Sequence, residues 1–183
     1  MLFEHAKILY AIRSAKEVIG RKKLQKMIYI AKRLSFPYRE KFNFHFYGPY
    51  SEELTLQVEE LVNMGFLDEV KEKKGGYFQY RYQLTENGEE FLDLVTQKLP
   101  PSLDFCLIDM NEKSSRFLEL VSTVLYFDNL PKEDIYEKID QVKSKQRYTR
   151  EEIDEAFEYI AVLKLMSTST SLEGETGDTS ITE

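Results

Sequence analysis

The chain has 183 residues, 42% of them hydrophobic and 31% charged, with a formal net charge of −7. It is long enough to bury its own core, and its apolar runs are too short and too broken by charge to cross a bilayer. Residues 1–20 carry Glu4, Lys7, Arg13, Lys16 and Glu17 where a secretory signal would be apolar, so the expected location is the cytoplasm. Cys106 is the only cysteine and His5 and His45 are the only histidines, which excludes an intrachain disulfide and a zinc site built from soft ligands.

The charge is unevenly placed. Residues 1–50 hold eleven Lys or Arg against three acids, a net of +8, and the remaining 133 residues carry a net of −15. Such a gradient marks either an electrostatic contact surface or a merely solvated lysine-rich helix.

Apolar residues Ile8, Leu9, Ile12 and Ala15 predict a first helix over 3–19, stopped at Gly20. In RKKLQKMIYIAKRL, Leu24, Met27, Ile28, Ala31 and Leu34 form one stripe, which predicts a second helix packed on the third, with Lys23, Lys26 and Arg33 outward. FNFHFY (42–47) alternates as a half-buried strand, with Phe42, Phe44 and Phe46 on one face, and Gly48-Pro49 breaks it. Ser51 caps a third helix over 52–64 that buries Leu54, Val58, Leu61 and Val62. Two β-rich runs about KKGG then predict a hairpin, and Thr85 opens a helix to about Leu99, stopped by Pro100 and Pro101.

Beyond Pro101 three further helices are predicted: residues 115–127, a helix from Pro131 to about Val142, and a last one opened by a Thr149-x-x-Glu152 capping box with Tyr148 and Ile153 as a hydrophobic staple. Phe117, Val121, Val124, Phe157 and Ile160 exceed what one helical hairpin buries, which suggests a homodimer. Residues 167–183 have almost nothing to bury and are expected to be a disordered acidic tail.

Helix, helix, short strand, helix, hairpin is the order of a winged-helix module. MGFLDEV…YQLTENGEEFL resembles the stretch of many winged-helix proteins where a glycine ends the third helix and Leu-Thr-x-x-Gly closes the wing. The expected fold class is therefore mainly α (α+β). A winged-helix domain with a small β-hairpin wing is expected over 1–99, a C-terminal helical extension over 100–166, and the tail over 167–183.

Little chemistry for catalysis is visible, and an enzyme is not expected: no catalytic, metal or cofactor-binding residue stands out. No GxxxxGK[ST] or GxGxxG string occurs. Cys106 lies in the apolar LDFCLIDM, where a thiol is expected buried and inert. His45 is read as a structural strand residue that could titrate. A DNA-reading helix offers basic or amide side chains to base edges, yet SEELTLQVEELVNM has four glutamates and no base, so DNA binding in the usual mode is disfavoured. The remaining route to DNA is through the basic second helix and the wing residues Lys71, Lys73, Lys74 and Arg81.

KLQKMIYIAKRL (23–34) and FHFYGPYSEEL (44–54) resemble the hallmark segments of the Panacea antitoxin domain, and the chain as a whole resembles YwgA-like bacterial proteins. The matching residues are Lys23, Leu24, Lys26, Tyr29, Tyr47, Gly48, Pro49 and Tyr50; Met27 stands in place of a second leucine, and no tryptophan precedes the turn. The Panacea resemblance implies a protein-binding module, either an antitoxin that holds a toxin or an adaptor that delivers a partner to a protease. The alternative is that YGPY is only a corner of the fold. The expected partner-binding surface is Lys22, Lys23, Lys26, Tyr29, Lys32, Tyr47 and Tyr50, facing an acidic protein, with a DNA-binding regulator as the rival reading.

Overall fold

The computed structural model describes residues 2–95 and 99–169. Helix α1 spans Leu2–Ser14, β1 Val18–Ile19, α2 Arg21–Arg33, β2 Asn43–His45, β3 Gly48–Tyr50 and α3 Glu52–Asn63. They are followed by β4 Leu67–Lys74, β5 Tyr77–Leu84, α4 Glu86–Leu94, α5 Pro101–Asn111, α6 Ser115–Tyr126, α7 Lys132–Val142 and α8 Arg150–Thr168. The architecture is α+β, mainly helical. One antiparallel sheet has the order β1-β5-β4, and β2 and β3 form a separate hairpin. Most of the expected tail, residues 170–183, and residues 96–98 of the helix expected to reach Leu99 lie outside the described residues; residues 167 and 168 belong to α8.

The first helix ends five residues earlier than its periodicity predicts. Lys16 takes φ 66°, and Val18 and Ile19 pair with Tyr82 and Arg81. β-Branched residues gain a ladder and, for Val18, complete burial there, which outweighs one more helical turn.

The β4–β5 hairpin runs in register from Leu67↔Leu84 to Lys74↔Tyr77 about Gly75-Gly76, with Gly75 at φ 56°. At its base the Leu-Thr-x-x-Gly string has a clear physical task. Thr85 caps α4 through Gly88 N and donates its hydroxyl to Gly65 O at 2.6 Å, while its amide donates to Phe66 O. A Cβ on Gly88 would lie 2.0 Å from that same Phe66 oxygen. Glycine is therefore required where two backbones meet.

Pro100 and Pro101 do not merely stop a helix. Pro101 opens α5, where its missing amide would have no partner in any case. Among the described residues the C-terminal part thus holds four helices, not three, and α5 brings the apolar LDFCLIDM string inside. Cys106 is fully buried, and burial, with Asp109 adding to it, pushes its thiol up to about 11.

Helix α2 is the centre of the molecule. Every residue from Leu24 to Ala31 is buried, because α5 and α6 cover the side that the N-terminal elements alone would leave in water. The predicted outward position of Lys26 and the predicted packing of this stripe chiefly on the third helix are both corrected by that cover. One buried cluster runs from Ala6 in α1 to Leu163 in α8. Val121, Val124 and Ile160 are buried within the chain, and Phe117 and Phe157 are half-buried against it, so the apolar surplus that suggested a homodimer is absorbed internally. The last helix starts as expected: Thr149 and Glu152 form the capping box, and Tyr148 and Ile153 are both buried.

Candidate functional site

The β2–β3 hairpin is held from below by side chains distant in sequence. Lys26 donates to Pro49 O at 2.7 Å, and Lys143 donates to Phe46 O and to Glu119, each at 2.8 Å. Gln25 completes the hold: its amide donates to Ser51 O and its oxygen accepts from Ser51 N, both at 2.9 Å. Ser51 in turn caps α3 at Leu54 N. Gly48 sits at φ 90° with Lys26 and Thr123 beneath it, a backbone region that side chains avoid.

Burial decides the state of Lys26, which is 2% exposed. It pushes the ammonium down to about 8, with Glu119 opposing the shift and Lys143 and Lys22 adding to it.

The hairpin turns at Phe46 and Tyr47, outside the short β2 strand. Phe42 and Phe44 are half-buried, as their alternation predicts, and pack on Tyr29, Tyr126 and Phe127. Phe46 belongs to the turn and is 62% exposed, which corrects its expected inward place. Its ring meets Tyr47 edge-on with centroids 5.1 Å apart. Lys22 Nζ lies 3.2 Å from the centre of the Tyr47 ring, and Lys145 Nζ lies 5.3 Å from that of Phe46. Neither lysine forms an ion pair among the described residues.

Beside this tip opens a cavity of about 280 Å³. Its buried lining includes Leu24, Leu54 and Val58, and its exposed lining includes Arg21, Lys22, Tyr47 and Glu59. On the sheet side Tyr82 donates its hydroxyl to Glu69 at 2.6 Å and accepts from Arg21 at 3.1 Å. The Arg21 guanidinium also lies 3.7 Å from the centre of the Tyr80 ring.

Of the residues expected to make a contact surface, Lys22, Tyr47 and Tyr50 come together here, and all three line the cavity. The others do not join them as free surface groups. Tyr29 is buried against Phe42. Lys23 donates to Asn111 O and Lys32 to Glu40 O, each at 2.5 Å, and Lys26 is committed to Pro49. Three of the six basic residues of α2 are thus committed to backbone carbonyls.

Sequence reading missed Gln25, Phe46, Glu119, Lys143 and Lys145. Gln25 left one trace, a polar residue flanked by apolar positions; the pairing with residues 119–145 left none. His45 is exposed on β2 with its ring 5.0 Å from that of Tyr50. Among the described residues no group of three His, Cys, Asp or Glu is placed to hold a metal ion, and no helix is long and apolar enough to cross a membrane.

"Uncharacterized protein YwgA" of Bacillus subtilis (strain 168) is 62% identical over 164 residues, which is 90% of this chain and 98% of that relative. The chain belongs to the YwgA family. No protein-family model matches it, so for this YwgA-family chain the likeness to the Panacea antitoxin domain rests on the two strings quoted above.

Proposed function

We propose that this YwgA-family protein acts by binding another protein, in an antitoxin-like or adaptor-like manner, through the Phe46–Tyr47 tip and the cavity beside it. The observation that carries the reading is an exposed aromatic pair next to an apolar cavity, with Lys143 bonded to the Phe46 carbonyl beneath it. Aromatic anchors beside a desolvated pocket dominate the energetics of protein interfaces, and pre-organised ones lose little entropy on binding. The order α1, β1, α2, α3, β4, β5 with strand order β1-β5-β4 supports taking the N-terminal part as a winged-helix module, with the β2–β3 hairpin inserted between its second and third helices.

The rival reading is a DNA-binding regulator. Helix α3 argues against it with Glu52, Glu53, Glu59 and Glu60 all exposed and no basic residue. The alternative basic surface is weakened by the carbonyl contacts of Lys23, Lys26 and Lys32, and by Arg81, which is bound to Glu17 and Glu72.

The test is recovery of co-purifying proteins with wild type and with Phe46→Ala/Tyr47→Ala. A specific protein retained by the first and lost by the second supports the reading; identical recovery, or tight salt-sensitive retardation of random duplex DNA, counts against it.

A further inference from the structure

We propose that the tip and cavity take up an acidic linear segment of the partner, with one apolar side chain in the cavity and carboxylates beside it on Lys22 and Lys145. The proposal rests on the protein-binding reading and adds the chemistry of the occupant.

Charge complementarity carries it. Among the described residues Lys22 and Lys145 have no carboxylate partner, and each lies against an exposed ring, so their charges are placed before any partner arrives. A carboxylate approaching either lysine displaces no existing ion pair, whereas Arg21 would first have to leave Glu69. The cavity supplies the other half. Its buried aliphatic lining suits a leucine-sized side chain, and it has no charged group deep inside except Lys26, already bonded to Pro49 O.

Glu59 on α3 and Glu69 on β4 also line the cavity, and their charges set a direction. Acids of the occupant belong on the side of Lys22 and Lys145, and uncharged residues on the side of α3 and the sheet. A single-stranded nucleic acid would also stack on exposed rings, but it carries a phosphate at every nucleotide and would meet Glu59 and Glu69 as it passed the cavity.

The experiment is selection of displayed random dodecapeptides on the immobilised full-length protein, repeated with Lys22→Glu/Lys145→Glu. Both lysines are exposed residues, and an unchanged melting temperature verifies that the variant is folded. The expected result is enrichment of peptides that join an aliphatic or aromatic residue to two or more acids within three positions. Their affinity should fall at least tenfold in the variant and at least tenfold when the apolar residue becomes serine. Enrichment of basic or uncharged peptides, no enrichment, an unchanged affinity in the variant, or displacement of the selected peptide by equimolar oligodeoxythymidylate would overturn the proposal. Loss of a co-purifying protein in Phe46→Ala/Tyr47→Ala would still stand in those cases, so failure here is distinguishable from failure of the protein-binding reading.

Discussion

Gln25 pairs with the backbone of Ser51 as a neighbouring strand would, giving one hydrogen bond and taking one, both at 2.9 Å. A side chain of α2 thereby fixes the exit of the β2–β3 hairpin and the N-cap of α3 together. Gln25→Leu fills similar volume but leaves the buried Ser51 amide without a partner, while Ser51 O keeps only its bonds from Thr55. The expected loss is ~2–3 kcal/mol, a fall in melting temperature of roughly 6 °C. A thermal melt followed by circular dichroism reads it, and an unchanged midpoint would show that the pair contributes nothing.

Lys26 couples the same region to pH. Its value falls from 10.5 in the unfolded chain to about 8 in the native state. The unfolded chain binds more protons between those values, so the contribution of this group to stability rises with pH across that window. Relative to Lys26→Met, the wild type should gain ~2 kcal/mol between pH 7 and pH 9.5. Urea titrations of both proteins at the two pH values measure the difference, and parallel curves would refute it.

Glu40 behaves in the opposite sense. It is 1% exposed and neither carboxylate oxygen has a hydrogen-bond partner. Burial raises its value; its own backbone amide and Lys7 oppose the rise, and Glu4 and Glu53 add to it. Stability from this group is present below the ordinary carboxylate range and is lost as pH rises through the raised value. Glu40→Gln should therefore melt ~2–4 °C above wild type at pH 8, with the gain shrinking towards pH 4.

Gly88 separates local preference from tertiary packing. Within a helix, alanine is favoured over glycine by ~1 kcal/mol. A Cβ here would stand 2.0 Å from Phe66 O, a backbone atom tied to Thr85 N. Gly88→Ala should destabilise by ~3 kcal/mol or more. A more stable variant would mean that β4 and α4 separate easily.

Charge reversal divides the lysines of α2. Lys26→Glu places a carboxylate against Pro49 O and should prevent folding, whereas exposed Lys22→Glu should change stability by no more than ~0.5 kcal/mol. Soluble yield and chemical denaturation of the two variants give the comparison.

Periodicity and punctuation were enough to read α2, α3, the β4–β5 hairpin and the start of α8, because each is set by neighbours in sequence: an apolar stripe, Ser51, a glycine pair, a capping box. The Thr85 and Gly88 string could be read as a boundary, though only the meeting with Phe66 explains its glycine. The early end of α1 was hidden, since Val18 and Ile19 become a strand only when β5 lies beside them. The character of Lys23, Lys26 and Lys32 was hidden for the same reason. A lysine in sequence is a surface charge by default, and what turned these three into donors to carbonyls was the packing of α5, α6 and residues 40–49 around α2. Composition and order along the chain determined which helices and strands form. Which charges remained for a partner was decided by long-range burial, because removing water from an ammonium obliges it to find an acceptor within the fold.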